Sequence, residues 1–132
     1  MLVPDGWSAT RSGNTYELTR EGDDGAAHIS VYTRLATRPT DADARQLVDR
    51  FLTALHHEGD VDVRVLDEGE EQRRAVARCI SLPHDGRDAA DWLVFLVLWP
   101  EHSLMCSYVS QPGSGVSSEA EWMFSTIHRT VD

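Results

Sequence analysis

The chain has 132 residues, 22 of them acidic and 12 basic, so its formal net charge is −10, and 41% of its residues are hydrophobic. This length and apolar content suit one folded domain with a true core and exclude global disorder. The negative charge argues against nucleic acid or an anionic membrane as a partner, because both reward a basic surface. The negative charge suits a basic protein partner, or it serves only to keep the protein soluble.

The N-terminal region predicts three short strands. β-branched and aromatic residues mark them at 7–10, 14–20 and 27–35. Turn signals separate these strands at Ser12-Gly13 and over residues 21–25.

A helix is predicted over residues 40–57. Thr40 suits the N-cap, and Asp41 and Asp43 fall in the first turn, where negative charge complements the helix dipole. Gly59 is a reasonable end signal. The apolar residues follow the i, i+3, i+4, i+7 spacing of one helix face, and they are Ala44, Leu47, Val48, Phe51, Leu52 and Leu55.

Four further strands are predicted after this helix. In the first, Val61, Val63 and Val65 alternate with charged residues, as in a strand with one wet face. The other three lie at 73–82, 91–99 and 104–110. Short links join these three, so an antiparallel meander is the economical topology.

A second helix is predicted to close the chain. Ser118 and Glu121 fit a capping box, with serine at the cap and glutamate three residues on. Trp122, Met123 and Ile127 supply the apolar stripe, with Val131 as a further candidate. The fold class is therefore α+β, a single domain over residues 1–132 built on one antiparallel sheet with two helices.

Residues 91–99 form the most informative segment. Eight apolar residues run from Trp92 to Trp99, between Asp91 and Pro100. A membrane-spanning helix takes about 20 residues, so this run predicts a strand buried on both faces instead. Either the two helices take opposite faces and close the core, or both take one face and leave the other for a partner.

The residues that could carry chemistry form no known motif. His56 and His57 are adjacent on a helix and point about 100° apart, so they cannot easily share a metal. His84-Asp85 suggests acid–base work, although such a pair is more often a turn device. Gly113-Ser114-Gly115 lacks the strand-to-helix elbow of a hydrolase nucleophile. No catalytic residue, cofactor or metal is therefore expected, with an enzyme assembled only in space kept as an alternative.

The two cysteines are interpreted as small buried hydrophobes. Cys79 and Cys106 lie on the strands that flank 91–99, two strand spacings (~10 Å) apart. That separation is too large for a disulfide.

Acidic residues are concentrated between Glu58 and Glu71. Seven acids and one arginine occupy this stretch, which is either a solvated hairpin or a docking surface that steers a basic partner. Asp67, Glu68, Glu70 and Glu71 are the candidate partner-binding acids. Trp99, at a strand end, is a further candidate, because it could cap an open apolar groove.

The order of elements resembles the Mog1/PsbP-like α/β/α sandwich. The resemblance covers the opening Pro4-Asp-Gly-Trp7, the strand pair, the helix over 40–57, the meander and the closing helix. Within that group the chain is similar to the small bacterial domains related to DcrB and to the effector-associated chaperones of secretion systems. The resemblance implies protein binding and carries no shared catalytic residues. Unlike many members, this chain shows no signal peptide or lipidation cysteine, so a cytoplasmic location is expected.

Three functional hypotheses follow. The first is a non-catalytic cytosolic protein-binding module, such as a chaperone, adaptor or immunity-type protein. The second is a small-molecule-binding protein or unrecognised enzyme with a pocket between sheet and helix. The third is homodimerisation through an uncovered sheet face.

Overall fold

The computed structural model describes residues 5–22, 25–33, 38–55, 63–67, 72–81, 83, 89–111 and 117–127. Seven strands and two helices occupy these ranges. In chain order they are β1 (Trp7–Ser12), β2 (Thr15–Arg20), β3 (Ala26–Thr33), α1 (Asp41–Thr53), β4 (Val63–Asp67), β5 (Arg73–Ser81), β6 (Ala90–Leu98), β7 (His102–Ser110) and α2 (Ser117–Ser125).

All seven strands form one sheet in the order β1-β2-β3-β7-β6-β5-β4. Every neighbouring pair is antiparallel. The α+β class, the single antiparallel sheet and the meander of β5, β6 and β7 are thus confirmed. Among the described strands β1 and β4 form the two edges of the sheet, and neither helix in the described ranges is long and apolar enough to cross a membrane.

The predicted central strand is β6, which pairs with β5 on one side and β7 on the other. Its residues from Leu93 to Trp99 are all buried. The period-2 alternation of a strand divides its side chains between the two faces as predicted. Phe95 and Val97 belong to one core cluster, whereas Val94 and Leu96 belong to the other.

The two helices take opposite faces of the sheet. Helix α1 packs mainly on β4, β5 and β6, and α2 packs on β6 and β7. We call the side of Val94 and Leu96 the α1 face, because Val48 of α1 lies in their cluster. The side of Phe95 is the α2 face, because Phe124 of α2 lies in its cluster. Of the two arrangements left open by the sequence, the structure therefore shows the one in which each helix covers a different face.

Helix α1 begins as predicted and ends earlier. Thr40 is the N-cap, its hydroxyl accepts from the Asp43 backbone N–H, and the Asp43 carboxylate accepts from the Thr40 N–H at 3.1 Å. The helix ends at Thr53 rather than at residue 57. Thr53 Oγ1 donates to the Asp49 carbonyl at 2.7 Å, one turn back along the helix. Gly59, the predicted end signal, lies outside the described residues.

The capping box predicted for α2 is wrong. The helix already includes Ser117, so Ser118 stands inside it and is not the N-cap. The Glu121 carboxylate is engaged by Arg78 at 2.8 Å and by Arg64 at 3.6 Å. A strong ion-pair partner on the sheet thus competes for the side chain that the motif assigned to the backbone.

The apolar stripe of α2 also differs from the prediction at one position. Trp122 is 50% exposed and does not join the core, whereas Met123 and Ile127 are buried as expected. Ala120 and Phe124 complete the buried positions, and the four follow the i, i+3, i+4, i+7 spacing. Val131 lies outside the described residues.

The observed bounds of several strands differ from the predicted ones by a few residues. The β1–β2 hairpin pairs continuously from Trp7 with Arg20 to Ser12 with Thr15, so β1 is longer than predicted. A two-residue turn then remains, and Gly13 adopts the positive φ of 63° that such a turn requires. The strand expected from Val61 is observed as Val63–Asp67.

Candidate functional site

The predicted acidic docking surface lies at a sheet edge. Strand β4 pairs with β5 alone among the described strands, so its other side faces outward. Asp67 is its last residue, in register with Arg73 of β5. Glu68, Glu70 and Glu71 follow directly in the chain but lie outside the described residues. The structure therefore places one of the four candidate acids, at the end of an edge strand.

Trp99 lies in the core of the α2 face. It is 7% exposed and shares a cluster with Phe95 and Met123. Its indole N–H donates to the Gln72 side-chain oxygen at 2.7 Å. A buried indole N–H prefers such a hydrogen-bond partner, so both the ring and its donor are engaged inside the protein. Little of its surface is left for the docking role that the sequence suggested.

Histidine chemistry is sparse in the described structure. His84, Asp85, His56 and His57 all lie outside the described residues. His28 approaches the Glu17 carboxylate at 3.2 Å across strands β3 and β2, at the surface. Within the described ranges no three His, Cys, Asp or Glu residues group together as metal ligands would.

The two thiols lie on opposite faces and are both free. Cys79 packs at the margin of the α1-face cluster, and Cys106 is fully buried in the α2-face cluster. Burial raises the pKa of Cys106, although the nearby Arg74 guanidinium acts in the opposite direction. Burial, and then the Asp91 carboxylate, raise the pKa of Cys79. Neither thiol is poised to act as a thiolate nucleophile.

Buried polar contacts on the α2 face hold the helix in place. The Arg74 guanidinium donates to the Ser125 carbonyl at 3.0 Å and to the Ile127 carbonyl, both at the C-terminal end of α2. These carbonyls have no partner within the helix, and a cation there also complements the helix dipole. Arg74, which is buried, therefore has a structural role.

Two glutamates hold the flanks of α2 over the sheet. Glu119 accepts from the Trp7 indole N–H at 2.8 Å and lies 3.6 Å from Arg20, on the β1–β2 side. Glu121 reaches Arg78 and Arg64 on the β5–β4 side. The helix is thus tied down on both sides of its long axis.

The described residues show no matching closure on the α1 face, and a cleft lies beside α1. The cleft has a volume of about 500 Å³. Its floor is formed by Leu96, Ser103 and Met105 of the sheet. One wall is the side of α1 that carries Gln46, Leu47, Arg50 and Phe51, and the other is the end of β3 at Tyr32 and Thr33.

The cleft exists because one short helix cannot cover seven strands. An α-helix with its side chains is about 10 Å across, whereas neighbouring strands lie about 4.8 Å apart. One helix therefore covers two or three strands. Beyond α1 the same face of β3 and β2 carries polar side chains, such as Ser30 and Thr15, whose hydroxyls lie 3.2 Å apart.

The rim of the cleft combines an exposed aromatic ring with one cation. Tyr32 is 52% exposed. Asp43 also lines the cleft, but its carboxylate is held by the Thr40 N–H at the helix N-terminus. Arg50 lies seven residues further along α1, about 10 Å away at 1.5 Å per residue. The cleft thus has an apolar floor and a polar rim.

The residues of this cleft could not be identified from the sequence. The helical spacing predicts Leu47 and Phe51 on the apolar face of α1, and both are only partly buried. The available signal was the count of strands, since seven strands and two helices leave part of a sheet uncovered. Nothing in the sequence alone fixed which part.

No protein-family model matches this chain, and no curated protein matches it significantly.

Proposed function

We propose that the protein is a non-catalytic protein-binding module of the chaperone, adaptor or immunity type, which acts in the cytoplasm. In this proposal its partner is basic and docks along the acidic edge of the sheet. The observation that carries the proposal is the position of β4, an edge strand within the most acidic stretch of the chain.

An edge strand can also bind a partner through its main chain. Among the described strands β4 pairs with β5 alone, so the main-chain groups on its other side can be reached by an added strand. Acidic residues beside such an edge also discourage pairing with other copies of this acidic chain. The acidic edge would attract a basic extended segment and repel a second copy of this acidic chain. The edge would therefore select its partner by charge.

The placement of the helices supports a Mog1/PsbP-like assignment within this proposal. In that fold group a sheet lies between helices, and α1 and α2 take opposite faces here. Related domains described as chaperones or adaptors bind proteins, and this chain would share that mode of action.

The test is a pull-down from native lysate with the wild-type protein and with a Glu68→Lys, Glu70→Lys, Glu71→Lys triple variant. A partner that docks by charge should be retained by the wild type and lost with the variant. Its retention should also fall steeply as salt rises from low to physiological ionic strength, because exposed charges are screened.

The matched control makes the same change in net charge elsewhere. Asp5, Glu21 and Asp49 are all exposed, and Asp5→Lys, Glu21→Lys, Asp49→Lys should leave the partner bound. If both triple variants lose the partner equally, only net charge matters and the edge is not the site. If neither loses it, the electrostatic proposal fails. Light scattering over a concentration series checks whether the retained partner is a second copy of the chain.

A further inference from the structure

We propose that the cleft between α1 and the sheet binds an amphipathic carboxylate, with its apolar body on the Leu96–Met105 floor and its anion at Arg50. This inference is independent of the acidic edge, because the cleft lies on the α1 face beside β7 and β3 and includes no residue of β4.

The floor of the cleft suits an apolar body. Leu96 is fully buried, and Met105, Leu47 and Phe51 are partly buried around it. A ligand seated there would remove the remaining exposed apolar surface from water, which is the main favourable term in binding such molecules. Met105 can also adapt to an irregular ligand, because methionine is flexible and polarisable.

Arg50 supplies the charge selectivity. Every other arginine in the described ranges has a hydrogen-bond, ion-pair or ring partner, whereas Arg50 has none among the described residues. It is exposed at the rim of the cleft, in a chain with a net charge of −10. A planar guanidinium with free donors fits a carboxylate in bidentate geometry.

The neighbouring acid does not cancel this charge. The Asp43 carboxylate is held by the N-cap backbone of α1, at the opposite end of the cleft wall. That position at the helix N-terminus already partly neutralises it. Tyr32, on the facing wall, adds an exposed phenol as a second donor for the ligand.

The volume agrees with a small organic acid. The cleft holds about 500 Å³, within the range of about 300–1,000 Å³ typical of ligand sites. It is open along one side, so a flexible chain can enter without any rearrangement of the helix.

The experiment uses decanoate as the probe and decyltrimethylammonium as the probe of opposite charge, both below the concentration at which they form micelles. Binding is followed by amide chemical shifts in ¹H–¹⁵N spectra of the full chain. Decanoate should bind saturably and shift the amides of Thr33, Leu47 and Met105 first. The cation should bind at least about tenfold more weakly, because a charge-assisted hydrogen bond is worth about that factor.

Four variants assign the site. Arg50→Gln should weaken decanoate binding about tenfold, and Arg50→Lys should restore part of the loss. Arg64→Gln, which removes an exposed arginine of β4 that pairs with Glu121 on the α2 face, should change nothing. Leu47→Gln should weaken both probes, because it places a polar group on the apolar wall. Circular dichroism confirms that each variant is folded.

The proposal is overturned if decanoate shifts are scattered over the surface, if they do not saturate, or if Arg50→Gln and Arg64→Gln behave alike. Equal affinity for the two probes also overturns it, since that shows binding of any apolar chain. The acidic-edge triple variant should keep its decanoate affinity, so failure of the docking proposal and failure of this one are separately visible.

Discussion

The two faces of the sheet are closed in different ways. On the α2 face, large aromatic side chains such as Phe95 and Phe124 fill the space under the helix, with ring centroids 6.2 Å apart. Ion pairs hold both flanks of α2, and a buried arginine holds its end. On the α1 face, alanines at 75 and 77 allow the helix to lie close to β5. That helix covers one part of the face and leaves a cleft beside it.

This difference shows how one fold can separate stability from function. A face closed by packing and buried hydrogen bonds offers little to a ligand, because its side chains already contact other parts of the protein. A face that is only partly covered exposes an apolar floor beside a polar rim, which is the usual composition of a binding site. The predictions below compare matched residues on the two faces, from the largest expected effect to the smallest.

The largest effect is expected from truncation of neighbouring residues of β6. Phe95→Ala should lower the free energy of unfolding by about 4 kcal/mol, and Leu96→Ala by about 2.5 kcal/mol. Both side chains are buried, but Leu96 borders the cleft, so neighbouring groups and water can adjust to its loss. Urea unfolding of both variants measures the difference. Leu93→Ala, at a leucine of the same strand that is equally buried on the α2 face, controls for side-chain size, and equal losses for the two leucines would mean that the two faces are packed equally tightly.

The next effect compares two adjacent arginines of β5. Arg74→Ala should cost about 2–3 kcal/mol, because two carbonyls at the end of α2 lose a buried, charged donor. Arg73 points to the other face and pairs with Asp41 at 3.0 Å, where the arginine side chain is 18% exposed and the acid is 64% exposed. An ion pair whose acid is open to solvent contributes little, so Arg73→Ala should cost about 1 kcal/mol.

The unfolding experiment has a clear control in this pair. Both changes remove the same side chain from the same strand, one residue apart, so differences in strand propensity cancel. Proteolysis near the C-terminal end of α2 should accelerate in Arg74→Ala alone, because the helix end is then free to open. If Arg73→Ala proves equally costly, the α1 face depends on its ion pair more than its exposure suggests.

Periodicity in the sequence predicted the parts of the fold that depend on local pattern. The alternation in β6 assigned Phe95 and Leu96 to opposite faces, and the spacing in α1 identified Val48 and Leu52 as buried. The short links predicted the meander of β5, β6 and β7. These features need no knowledge of distant residues.

Features that depend on distant partners could not be predicted in this way. Glu121 fits a capping motif, yet in the fold it meets Arg78, 43 residues away in the chain. Trp122 fits an apolar helix position, yet α2 is rotated so that Met123 and Phe124 pack in the core and Trp122 faces solvent. The cleft follows from how far α1 extends across the face, which no local pattern encodes.

The smallest effect concerns the two thiols, one on each face. A thiol reagent at neutral pH should label Cys79 slowly and Cys106 only when the protein unfolds, because Cys106 is fully buried and Cys79 is partly exposed. Labelling of Cys79 should accelerate at a higher pH than in a free thiol, because its pKa is raised by burial and by Asp91.

The same shifts make stability depend on pH in the alkaline range. Both thiols have a higher pKa in the folded state than in the unfolded chain, where the ordinary value is about 9.0. Above that pH the unfolded chain releases protons that the folded protein keeps, so stability falls as pH rises. Cys106→Ala should flatten this loss more than Cys79→Ala, because Cys106 is the more deeply buried. Urea midpoints between pH 7 and about pH 10 measure the slope. Equal slopes in the two variants would show that the α2 face admits solvent as readily as the α1 face.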